Sequence, residues 1–126
     1  MSIEWYSIDR NLSVVERGTA TKEDAERIID DYFARLKPRY DYGEDALAET
    51  MFGFQKSKDE FIEICISTPA EISFKYEIAF PRKILFFSLP KVIQVEKTLH
   101  SKEELKATVF SFYDLDSESY RSHLGE

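Results

Sequence analysis

The chain has few of the residues that usually reveal chemistry or covalent reinforcement. Its 126 residues include one cysteine, Cys65, and two histidines, His100 and His123. One cysteine excludes an intramolecular disulfide and suits a reducing compartment. Three such residues, widely spaced, match no metal-ligand pattern, so neither a metal nor a cofactor is expected. The four glycines, Gly18, Gly43, Gly53 and Gly125, stand apart from one another. A phosphate cradle needs them close together ahead of a helix. No apolar run approaches the ~18 residues that span a bilayer. The opening "MSIEWYSIDR" is broken by Glu4 and Asp9, unlike a secretory leader. A cytoplasmic protein is expected.

Positive charge is also scarce. Twenty-four acidic and 17 basic residues give a net charge of −7. Nucleic acid and anionic membranes bind through a basic surface that displaces counterions, so neither is expected as a partner. A basic protein is the electrostatic complement, although acidity also serves solubility alone. The chain is 43% hydrophobic, too apolar for disorder, and its length fits one domain, residues 1–126.

Segment 2–8, "SIEWYSI", is β-prone, and a loop through Arg17 and Gly18 is expected after it. Thr21 and Asp24 match a capping box. Ala25, Ile28, Ile29, Tyr32, Phe33 and Leu36 then recur at helical spacing until Pro38 ends the helix. The middle of the chain reads as β: 46–55, 60–67, 71–80, 84–89 and 91–99, with turns at "KSKD", "TPAE" and "PRK". The continuously apolar "ILFFSL" (84–89) predicts a central strand covered on both faces. Ser101 and Glu104 form a second capping box, and Leu105, Val109, Phe112 and Tyr113 line the helix behind it. A short helix or ordered tail is expected in "DLDSESYRSHLGE". Linkers of three to five residues require antiparallel hairpins. The expected fold class is α+β: an antiparallel sheet of four to five strands, with an N-terminal and a C-terminal helix packed on one face.

Nothing in the residue order marks a catalytic centre. Cys65 lies mid-strand, opposite the isoleucine row, where a small packed hydrophobe is the simpler reading. Glu49, Glu63, Glu71 and Glu77 fall on strands, and two of them on neighbours could sit at the ~5 Å cross-strand spacing of a carboxylate pair. A solvated sheet face needs such residues in any case. The chain is expected not to be an enzyme.

Surface chemistry is more distinctive. "YDYGEDALAET" (40–50) holds Asp41, Glu44, Asp45 and Glu49 beside Tyr40 and Tyr42, with no lysine or arginine. It lacks the ligand spacing of an EF-hand loop. It is either a merely solvated loop or a partner-binding one. Asp114 and Asp116, among Phe112, Tyr113 and Tyr120, repeat the mixture of carboxylate and aromatic side chains that suits an interface.

In size, acidity, α+β pattern and its closing "SKEELKATVFSFYDLDSESYRSHL", the chain resembles bacterial immunity proteins of contact-dependent and polymorphic toxin systems. It is less closely similar to type III secretion chaperones. The first resemblance implies a monomer that binds a cognate toxin protein, basic if the toxin is a nuclease, and blocks its active site or substrate groove. Tyr40, Asp41, Tyr42, Glu44, Asp45, Glu49, Asp114 and Asp116 are then the expected contact residues. The second implies a homodimer holding an extended effector segment in apolar grooves, and a small enzyme stands as the third alternative. Replacing Asp41, Glu44 and Asp45 together by Asn, Gln and Asn should slow association with a copurified partner and flatten its salt dependence. An unchanged on-rate removes this segment from the interface.

Overall fold

In the computed structural model, residues 2–9, 11, 13–36, 50–84 and 87–125 are described, without the side chains of 81–84 and 87–91. Strands β1 (Glu4–Ile8) and β2 (Val14–Thr19) precede helix α1 (Lys22–Leu36). Strands β3 (Met51–Ser57), β4 (Glu60–Thr68), β5 (Glu71–Ile84) and β6 (Phe87–Leu99) follow. Helices α2 (Lys102–Asp114) and α3 (Ser117–His123) close the chain. The strands form one six-stranded antiparallel sheet in the order β2-β1-β3-β4-β5-β6. The α+β class is as expected, with six strands rather than four to five.

The added strand is β2, expected as loop. It is an edge strand with almost every side chain exposed, so burial imposes no alternation on its sequence. Its pairing to β1 carries a bulge at Arg17, and Gly18 follows at φ +112°, a left-handed conformation that glycine adopts without a steric cost. The run 84–89 is a second correction. It is the end of the β5–β6 hairpin, with Ile84 opposite Phe87, and not a central strand. "PRK" is no turn, because Pro81 pairs opposite Pro90 inside the ladder. β4 reaches only as far as Ile78, opposite Glu60. Past that point the hairpin is a two-stranded ribbon, where each proline can turn its missing N–H away from its partner.

Period-two alternation decides which face is buried. Cross-strand rows Phe52–Ile64–Phe74 and Phe54–Ile62–Tyr76 lie on one face. All three described helices pack there. Tyr32 of α1 stacks on Phe52 at 4.2 Å between ring centroids, and Tyr76, Phe112 and Tyr120 meet edge-to-face at 5.1–6.3 Å. The first expected capping box forms in full and the second in half, the Glu104 carboxylate accepting from the His100 amide at 2.7 Å and not from that of Ser101. Thr21 and Asp24 exchange bonds of 3.0 and 3.1 Å, and the Glu104 amide donates to Ser101 Oγ at 3.0 Å. The antiparallel helices α1 and α2 are joined by Lys22–Asp114 at 2.7 Å and Lys106–Asp30 at 2.8 Å, surface pairs of modest worth.

Glu60, Tyr120 and Tyr113 find partners on the buried face, while Arg121 Nε in the helix layer has no hydrogen-bond partner among the described residues. Glu60 shares phase with Ile62, Ile64 and Ile66 yet is only 8% exposed. Its Oε2 accepts from Tyr76 Oη at 2.7 Å and Ser117 Oγ at 2.8 Å. Tyr120 Oη donates to the Thr108 carbonyl at 2.9 Å, and Tyr113 Oη to that of Ala20 at 2.7 Å.

Burial raises the phenols of Tyr76 and Tyr120, and that of Tyr6 on the other face, well above the ordinary value. The unfolded chain therefore releases these protons first, near pH 10. The stability they lend is complete below that pH and declines above it. The loss is about 4 kcal/mol per pH unit for the three together. Urea midpoints should thus fall steeply above about pH 10, and tyrosinate absorbance from this buried class should appear only with unfolding. Its appearance in chain that retains native circular dichroism would contradict the assignment.

Candidate functional site

The other face of the sheet carries no described helix. Its central feature is a cross-strand row. Register aligns Tyr6 of β1, Gly53 of β3, Glu63 of β4, Lys75 of β5 and Glu96 of β6. Tyr6 lies flat across β3 because Gly53 has no side chain. A Cβ there would stand 2.2 Å from the ring Cζ and 2.6 Å from the Ile62 carbonyl oxygen. The phenol thereby crosses a whole strand and donates to Glu63 Oε1 at 3.0 Å. Tyr6 is 4% exposed. That burial first, then the charge of Glu63, pushes its phenol upward, so it stays a donor.

Glu63 Oε2 faces Lys75 Nζ at 4.0 Å, outside hydrogen-bond distance. The same ammonium lies 5.6 Å from the centroid of the Phe61 ring. On the next row Gln94 Nε2 donates to Glu77 Oε1. Beside Lys75 the surface sinks into an open trough of about 400 Å³, walled by Glu63, Cys65, Ser73, Lys75, Glu96 and Thr98. Phe74 and Lys97 border it too, but their register sends both side chains to the helix-covered face.

The face is strongly unbalanced in charge. Among strand positions with described side chains it carries Glu4, Glu16, Glu63, Glu71, Glu77 and Glu96 against Lys75 alone.

The expected carboxylate pair does not arise between Glu63 and its neighbours. Lys75 stands opposite Glu63, and Phe61 opposite Glu77. Cys65 does point away from the isoleucines, half-buried between Met51 and Ser73. Burial raises its thiol while a Thr50 hydrogen bond pulls it down in part. A nucleophilic cysteine needs the opposite balance. His100 Nδ1 contacts the Ala70 carbonyl at 3.2 Å and His123 Nε2 the Ser111 hydroxyl at 3.4 Å. Among the described residues no group of three or more His, Cys, Asp or Glu could hold a metal ion.

Of the expected partner-binding residues, Tyr40, Asp41, Tyr42, Glu44, Asp45 and Glu49 lie outside the described residues. Asp114 and Asp116 lie in the helix layer, across the sheet from Glu63. Asp114 ends α2 and is ion-paired to Lys22. Asp116 caps α3, accepting from the Ser119 amide at 2.8 Å, which lowers its carboxyl below the usual range. Both are exposed.

The row Tyr6, Gly53, Lys75 and Glu96 was not anticipated. One signal was available: Lys75 is the sole base among the outward residues of "EISFKYEIAF". The chain was compared with protein-family models, curated proteins and solved structures, and none of them matches it.

Gly53→Ala should cost roughly 1–3 kcal/mol in urea denaturation, the range for overpacking a filled site. Tyr6→Phe should cost less, about 0.5–1.5 kcal/mol. The double variant should be less destabilised than the sum of the two. Strict additivity would show that Tyr6 does not lie over Gly53.

Proposed function

We propose that the chain is a binding protein that neutralises a basic protein partner, as an immunity protein does a cognate nuclease-type toxin. It would act in the cytoplasm as a monomer, covering the toxin's active site or substrate groove and turning nothing over itself. The observation that carries this reading is the six-to-one excess of carboxylates among the described side chains of the sheet face that no described helix covers. A toxin that grips phosphates has a positive surface. An acidic face of matching extent competes for that field and speeds encounter.

The chaperone alternative asks for continuous exposed apolar grooves. The large exposed apolar side chains among the described residues are Val14 and Val92. They lie on strands β2 and β6, at opposite edges of the sheet. This spacing favours a charged contact over an apolar one.

Glu4, Glu16, Glu71 and Glu96 make no ion pair or side-chain hydrogen bond to another described residue, so they can be changed without disturbing the fold. The reading expects a toxin domain encoded beside this chain, whose expression arrests growth and whose effect is reversed by co-expression of the chain. Replacing the four glutamates by glutamine should lower the association rate by roughly tenfold or more at low salt. The native rate should fall between about 0.05 M and about 0.5 M salt. No rescue and no complex would overturn the reading. A complex whose rate ignores both salt and the four substitutions would remove electrostatics from it.

A further inference from the structure

We propose that the trough on the helix-free face is a socket for one cationic side chain of the partner, arginine in preference to lysine, and that Lys75 fills it in part as an internal stand-in. This inference rests on the basic-partner reading above and specifies its point of contact.

The trough has the room. Its volume of about 400 Å³ lies within the range that holds a compact organic group. Its polarity is selective. Glu63 and Glu96 stand on either side of Lys75, on β4 and β6. One register step away, Ser73 and Thr98 face each other across β5 and β6 and add hydroxyl acceptors. An anionic group would meet both carboxylates, and an apolar one would strand four polar side chains without partners.

The free protein already keeps a cation in this place. Lys75 stands between the two acids in register, and its ammonium faces Glu63 Oε2 at 4.0 Å without an ion pair to Glu96. It holds Glu63 by charge and not by a hydrogen bond. Glu96 bonds to no other described side chain. The ammonium already lies over the Phe61 ring, 5.6 Å from its centroid, where a cation rests favourably and can remain when a guest enters. An incoming guanidinium thus displaces a loose contact and makes close ones. Its planar fork can address Glu63 Oε2 and Glu96 together, whereas an ammonium engages them as a point charge. Glu63 is oriented for this role by Tyr6, which holds Oε1 and leaves Oε2 facing the trough.

The test is a ¹⁵N NMR titration of the intact chain with N-acetyl-arginine methylamide, alongside the blocked lysine and glutamate analogues. Saturable shifts are expected at the amides of Cys65, Ser73, Lys75, Glu96 and Thr98. Arginine should bind more tightly than lysine, and glutamate should move none of them. Glu96→Gln should weaken arginine binding roughly two- to fivefold. Lys75→Met should strengthen it, a gain that general loss of structure cannot mimic. The same spectra report whether each variant is folded. Three results would overturn the socket: no saturable shift at these amides, an equal response to blocked glutamate, or weaker binding by Lys75→Met. A nona-arginine peptide whose shifts fall elsewhere on the chain would also overturn it, while leaving the basic-partner reading standing.

Discussion

Register is the constraint on which the rest of the molecule depends. Eight strand side chains, Phe52, Phe54, Ile62, Ile64, Ile66, Ile72, Phe74 and Tyr76, are almost wholly removed from water. At roughly 1.5–3 kcal/mol each they contribute about 12–24 kcal/mol of burial, more than the ~5–15 kcal/mol net stability of a typical domain. A slip of one residue between β3 and β4 or between β4 and β5 would turn an isoleucine or phenylalanine row toward solvent and Glu63, Lys75 or Glu77 into the core. The sheet therefore has one affordable alignment. That alignment also determines the opposite face, so the apolar rows place the charged row without any further instruction.

Gly53 links the two faces. Its neighbours in β3, Phe52 and Phe54, are core residues, and its lack of a side chain opens a track on the other face. Tyr6 fills that track and reaches Glu63 two strands away. A buried tyrosine needs a hydrogen-bond partner, and here that partner is a carboxylate of the candidate site. Packing at the β1–β3 seam and the orientation of Glu63 are thus one structural fact, and a change at Gly53 is felt in both.

The strongly periodic parts of the fold could be read from the sequence. The alternation in "EISFKYEIAF", the i, i+3, i+4 spacing from Ala25 to Leu36 and the boxes Thr21–Asp24 and Ser101–Glu104 each express a local rule that the fold obeys. The misreadings share a cause. β2 is paired yet hardly buried, so it leaves no apolar period. Segment 84–89 is apolar, yet its described residues Ile84 and Phe87 pair at the far end of a hairpin, where composition alone suggests a core strand. Of the site, strand alternation placed Glu63, Glu77 and Cys65 on the side away from the isoleucines. It could not supply their neighbours across strands, because a pair such as Tyr6–Glu63, 57 residues apart, comes from tertiary register alone.

Six carboxylates on one sheet face ought to repel, and like charges directly opposite each other on paired strands destabilise a sheet by roughly 0.2–1 kcal/mol. Register avoids every such pair. Glu4 stands between Thr19 and Gln55, and Glu16 opposite Tyr6. Glu71 faces Thr68, and Glu77 lies between Phe61 and Gln94. Glu63 and Glu96 each face Lys75. The acids are interleaved with neutral residues and share one lysine, so local repulsion is small while the summed field remains strongly negative. Arranged so that the sheet bears it at little cost, the negative field of this face is directed away from the described helix layer.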